Sequence, residues 1–141
     1  MVFKRSMRLA VAGVLLLFGA ASAPAQRNPA LSALSGIEHG QWQLKSAAGE
    51  LRQLCLGNPA ALLQIMHGNT QCEHFVMENT PRSATVRYTC PGHGHGRTTL
   101  SVDTPRVMNV ETQGVANGAP FSERFEARRI GACEPGHGAG R

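Results

Sequence analysis

The segment Ser83–Cys90 alternates without a break: Ala84, Val86, Tyr88 and Cys90 are apolar or weakly polar, with Ser83, Thr85, Arg87 and Thr89 between them. Successive side chains of an extended chain point to opposite faces, so this pattern predicts a strand with one face in the core and one in water. Residues 41–45 repeat the signal around Trp42 and Leu44, and Leu51–Leu56 returns after a turn at 46–49. Phe75, Val76 and Met77 mark a further strand. Beyond a Pro-Gly-rich turn at 91–96, Thr98, Leu100 and Val102 alternate, and Met108 and Val110 resume the pattern after Thr104-Pro105. Asn117-Gly118 is a hairpin dipeptide, because both residues tolerate positive φ. Residues 121–130 fit either period, and the shared face of Phe121, Phe125 and Ala127 favours a strand.

One stretch departs from this rhythm. Asn58 can cap free amides and Pro59 suits a first helical turn, so a short helix is expected to about Met66, closed by Gly68-Asn69. Leu62, Leu63, Ile65 and Met66 make it apolar on more than one side, which calls for burial. Six or seven short strands with one short helix predict an α+β, mainly β fold. The expected form is a curled antiparallel meander sheet with the helix and the loop after it filling its open side.

The ends of the chain read differently. Lys4, Arg5 and Arg8 precede an apolar run at 9–21, and Ser22-Ala23-Pro24-Ala25 follows. Basic, apolar and small-residue parts in that order predict a secretory signal peptide over 1–25, cut before Gln26. The apolar run falls short of the roughly 20 residues that cross a bilayer, so no permanent membrane anchor is expected. The mature chain would then be periplasmic or secreted, with a mobile leader at 26–36, the folded domain at 37–133 and a disordered Gly-rich tail at 134–141.

The division changes the charge. The whole chain of 141 residues has a formal charge of +5, but 1–25 contributes three cations and no acids, leaving eleven Lys plus Arg against nine Asp plus Glu. Nucleic-acid binding requires a like-charged face, usually with stacking aromatics, and neither is visible in a domain of charge +2. The length also excludes a doubly wound nucleotide-binding enzyme or a complete (β/α) barrel.

All four cysteines, Cys55, Cys72, Cys90 and Cys133, lie beyond the signal segment, and no Cys-x-x-Cys occurs. This argues against a thioredoxin-like site, a zinc ribbon and c-type haem attachment, and points to two structural disulfides in an oxidising compartment. Three connectivities are open. Cys55–Cys72 with Cys90–Cys133 is favoured, the first closing a short loop around the helix and the second tying a middle strand to the last.

Gly40-x-Trp42, Cys55 before a short helix, Cys72, Tyr88-x-Cys90, a Gly-rich hairpin and Gly131-x-Cys133 together resemble a family of short exported proteobacterial proteins known as a domain of unknown function. Many of its members open on Gly-x-Trp-Glu, where this chain has Gln43. The resemblance implies a Gram-negative exported protein with paired cysteines, and it brings no catalytic residues.

The most chemically suggestive side chains are His93 and His95, two apart in Pro91-Gly92-His93-Gly94-His95-Gly96, with a second Pro-Gly-His-Gly around His137. Alternate residues of an extended segment share a face, so His93 and His95 could meet one Zn or Cu ion, with His137 as third ligand if Cys90 and Cys133 are bonded. Glycine on every side leaves such a site without preorganisation. Cys90 and His93 could form a nucleophile and base only if the sulfur were free. Asp103 is the sole aspartate, and neither a Gly-x-Ser-x-Gly elbow nor a His-Glu-x-x-His pair occurs. Trp42 and Tyr88 could line a ligand cavity inside the curled sheet, with core packing as the plainer role. The expected function is therefore non-enzymatic: an exported binding or envelope-interaction module whose ligand or partner the sequence does not name. A metal-binding protein and a proteinaceous inhibitor of a lytic enzyme are the alternatives.

Overall fold

The computed structural model describes residues 30–135, so the expected signal peptide, the first residues of the expected leader and 136–141 lie outside the described residues. Seven strands form one antiparallel sheet: β1 Gly40–Ser46, β2 Leu51–Leu56, β3 Glu73–Asn79, β4 Ser83–Cys90, β5 Gly94–Thr104, β6 Val107–Ala116 and β7 Ala119–Gly131. The period-2 reading is borne out, including the assignment of 121–130 to a strand. Trp42, Leu44, Val86, Tyr88, Leu100, Met108, Val110 and Ala127 all point inward and are almost fully buried. Asn117 and Gly118 both adopt positive φ, at 50° and 82°, and join β6 to β7 through a two-residue turn.

The order across the sheet is β2-β1-β7-β6-β5-β4-β3. Strands β3 to β7 form a meander, and the β1–β2 hairpin adds to the far side of β7. Hence β2 and β3, neighbours in the chain, are the two opposite edges. The connection between them, 57–72, must traverse the open face of the sheet, and Leu62 and Leu63 bury against the core as it does so.

The helix expected within this crossover is a short 3-10 segment, Pro59–Gln64, and no α-helix occurs among the described residues. Its start follows the sequence signal: the Asn58 side chain accepts from the Ala60 N–H at 3.0 Å, and Pro59 occupies the first turn. What prevents an α-helix is visible at Leu63. Its carbonyl accepts the Thr98 hydroxyl at 2.6 Å, while the His67 N–H donates to the Gln64 carbonyl at 2.8 Å, three residues back. A tertiary hydrogen bond thus occupies an acceptor that a helix would use for its own fourth-neighbour bond.

The favoured disulfide pairing is corrected. The bridges are Cys55–Cys133 and Cys72–Cys90, with Cα–Cα separations of 5.4 and 4.1 Å. Cys55 and Cys72 flank a crossover that spans the sheet from edge to edge, which separates them. On β1, Gln41 faces Cys55 on one side and Gly131 on the other, so Cys133, two residues past β7, reaches Cys55. Glu73 pairs with Thr89, which brings the preceding Cys72 alongside Cys90. The crossover is therefore pinned at both ends.

The described part of the expected mobile leader is docked. Leu31 and Leu34 pack against the core, Ala33 is buried, and Ser32–Leu34 forms a 3-10 turn. The Asn79 side chain clamps it, accepting from the Ser32 N–H at 2.8 Å and donating to the Ala30 carbonyl at 3.3 Å. Three apolar side chains in a short polar stretch suffice to cover sheet that the crossover leaves open.

Candidate functional site

Leader, crossover and edge strand enclose a groove of about 720 Å³ on the inner side of β3 and β4. Leu31 and Leu34 form one wall, Ala60 and Leu63 the opposite one, and Val76 and Val86 the floor. The crossover packs on the sheet through Leu62 and Leu63, where the Leu63 carbonyl meets Thr98 of β5, and continues to the Cys72–Cys90 bridge beside β3. The size of the groove falls within the roughly 300–1,000 Å³ of ligand sites, and its mainly apolar lining is their usual character.

His74 brings a polar group into this lining from β3. Its ring is tilted against that of Tyr88 at 6.1 Å between centroids. Burial lowers its pKa below the usual 6.5. The folded protein therefore binds fewer protons than the unfolded chain in mild acid, so His74 should erode stability as pH falls from 6.5 toward the folded-state pKa. Urea midpoints at pH 7.5 and 5.5 check this: the midpoint should fall at the lower pH, and fall less in His74→Gln. An equal drop in both proteins would assign the loss to other groups. Glu38 acts in a lower window, because the hydrogen bond from Arg106 holds its carboxyl below the usual 4.5, and its contribution is lost only as pH falls below that value.

Behind the groove lies a chain of polar groups. Thr98 and Thr112, both buried, share a hydrogen bond of 2.8 Å, and the Tyr88 hydroxyl meets His67 Nδ1 at 3.0 Å. His67 Nε2 lies 3.1 Å from the Val115 carbonyl. A carbonyl only accepts, so Nε2 carries a hydrogen, and in the neutral ring Nδ1 receives the Tyr88 proton. Burial raises the Tyr88 pKa, opposed in part by a hydrogen bond with Thr112. The tyrosine is consequently a neutral structural donor at ordinary pH.

Trp42 and Tyr88 take the plainer of their two expected roles: both are in the core, and neither lines the groove. The indole N–H of Trp42 donates to the Glu38 carbonyl at 3.0 Å. The Tyr88 ring covers Gly96, where an added Cβ would fall 2.5 Å from the hydroxyl. Glycine at 96 is what lets the ring lie flat on β5. The strand expected around Phe75, Val76 and Met77 is present as β3, in which Phe75 and Met77 face outward, 68% and 43% exposed, while His74 and Val76 face the groove. Alternation pairs His74 with Val76 on one face but does not say which face is inward, so the sequence carries no signal that singles out His74.

His93 lies in the turn after β4 and His95 in β5, both exposed. Among the described residues no group of three or more His, Cys, Asp or Glu side chains is placed to hold a metal ion. His137 lies outside the described residues. The bond expected to bring its loop beside His93 is not formed, and Cys133 follows the end of β7 remote from the Asn117-Gly118 turn. The sulfur of Cys90, the candidate nucleophile beside His93, is held in the bridge to Cys72.

A second depression, about 490 Å³, crosses β1, β5, β6 and β7 and is polar, with Lys45, Ser101 and Glu126 among its lining. Its Arg124 is paired with Glu111 at 2.8 Å, and both side chains are largely exposed. The apolar groove is the better-formed ligand site. No protein-family model, no curated protein and no solved structure matches this chain.

Proposed function

We propose that this protein is an exported, non-enzymatic binding module that holds a small, largely apolar ligand between its leader, its crossover and the inner side of β3 and β4. The observation that carries the reading is the groove of about 720 Å³ whose crossover wall is tied by disulfides at both ends. Tying the wall reduces the ordering cost of binding, which is the usual benefit of a preorganised site. Two disulfides fit an extracellular, oxidising location. Among the described residues no helix is long and apolar enough to cross a membrane. The basic, apolar and small-residue order of 1–25 supports export, and the resemblance to the four-cysteine exported family supports a Gram-negative periplasm.

Native mass spectrometry of the protein isolated from its own cells tests this. The expected species is a chain beginning at Gln26 with both bridges intact and a stoichiometric small-molecule adduct that denaturation releases. A chain that retains residues 1–25, or one that never carries such an adduct, overturns the proposal.

A further inference from the structure

Taking the groove as the ligand site, we infer that its ligand is a single-chain amphiphile: an aliphatic tail against the walls and one small uncharged hydrogen-bonding group at His74. The lining contains no Lys, Arg, Asp or Glu. A phosphate, sulfate or ammonium group entering it would lose water without gaining a countercharge, which disfavours ionic ligands strongly. Apart from the His74 imidazole the lining has no aromatic ring either, so it offers no stacking surface to a flat ligand. Leucine, valine, proline and alanine side chains suit a flexible saturated chain, whose affinity comes from area removed from water.

The polar lining groups narrow the other end of the ligand. Asn58 is exposed and its side-chain oxygen accepts from the Ala60 N–H, and the Gln64 amide donates to the carbonyls of Gly68 and Thr70 at 2.8 and 2.7 Å. The Ser35 hydroxyl donates to the Ser32 carbonyl at 2.8 Å, and Asn69 is exposed at the rim. His74 differs from these. Half-buried and facing the groove, it makes no hydrogen bond among the described residues, so both ring nitrogens remain for a ligand. A neutral imidazole presents one donor and one acceptor, which matches a hydroxyl on the ligand. A phospholipid is the wrong source of such a tail, because its phosphate would find no cation here.

Calorimetric titration of the protein as isolated, after removal of bound small molecules, with 1-octanol, 1-decanol and 1-dodecanol tests the inference. Affinity should rise about threefold for each added methylene, somewhat under the fourfold that complete burial would give. Decyl phosphate should bind at least about tenfold more weakly than 1-decanol, in keeping with the cost of an uncompensated charge. Ala61 also lines the groove, so Ala61→Trp, which fills it, should weaken dodecanol binding by a factor of about 10 or more. His74→Leu keeps the walls and removes the hydrogen-bonding partner, so it should weaken binding of each alcohol about threefold or more while leaving the gain per methylene unchanged; unchanged alcohol affinity would overturn the placement of the hydroxyl at His74. Thermal unfolding and a thiol count on both variants separate blocked binding from misfolding. A flat chain-length series, decyl phosphate binding as tightly as decanol, or unchanged affinity in a folded Ala61→Trp overturns the inference. Should the cell-derived protein carry a small molecule of another class while the alcohols fail to bind, this inference falls and the groove-binding proposal stands; absence of any adduct as well removes both.

Discussion

Removing the Cys55–Cys133 bridge with a Cys55→Ala/Cys133→Ala pair should lower the free energy of unfolding by about 4.5 kcal/mol, and removing Cys72–Cys90 in the same way by about 3 kcal/mol. The order follows from the closed loops, which span 78 and 18 residues. A longer loop takes more conformational freedom from the unfolded chain. Either loss is a large part of the roughly 5–15 kcal/mol by which a domain is stable. Urea unfolding, followed by the fluorescence of Trp42, the only tryptophan of the chain, supplies both numbers. A larger loss from the shorter loop would show that native-state contacts, and not chain entropy, dominate.

The two bridges should also differ in where they act. Cys72 closes the crossover at the β3 edge, beside the groove, whereas Cys55 closes it at the opposite edge. Hydrogen exchange in the Cys72→Ala/Cys90→Ala protein should therefore accelerate first in 64–79, around the groove, while β1 and β7 keep their protection. Uniform acceleration along the chain would contradict this division.

Trp42→Ala should cost about 3–5 kcal/mol, the range for deleting a large buried aromatic side chain. Trp42 has no exposed surface and heads the set of largest buried side chains, so few neighbours can move to fill the cavity. It also fixes the chain just before β1, because its indole N–H donates to the Glu38 carbonyl. Trp42→Phe keeps an aromatic body but strands that carbonyl and leaves a smaller void, so its loss should be less than half as large. Far-UV circular dichroism during urea unfolding measures both variants, since the fluorophore is gone. A loss under about 1 kcal/mol in Trp42→Ala would mean that the core collapses around the deletion.

Much of the fold was legible because strands carry local information. In Ser83–Cys90 the face of each side chain is set by its parity, and the structure places Ala84, Val86, Tyr88 and Cys90 inside as that parity requires. Asn117-Gly118 was legible for a similar reason, since positive φ is a property of the residues themselves. The site was hardly legible. Trp42 and Tyr88 are large aromatics and fill the core, whereas the groove is lined mainly by aliphatic residues that carry no distinctive signal in sequence. His74 was hidden beside the more hydrophobic Phe75.

Strand positions, the β6–β7 turn, the cap at Asn58 and the even set of cysteines were determined by the sequence alone, because each depends on residues within a few positions of one another. Tertiary structure alone decided the partner of each cysteine, the 3-10 form of 59–64 and the docking of the leader. Each of these depends on the β1–β2 hairpin joining β7 instead of β3. That placement sends the crossover from one edge to the other, parts Cys55 from Cys72, delivers the Leu63 carbonyl to Thr98 and opens the groove against the β3 edge. Strand order is a competition among contacts distant in sequence, whose energies no local pattern records.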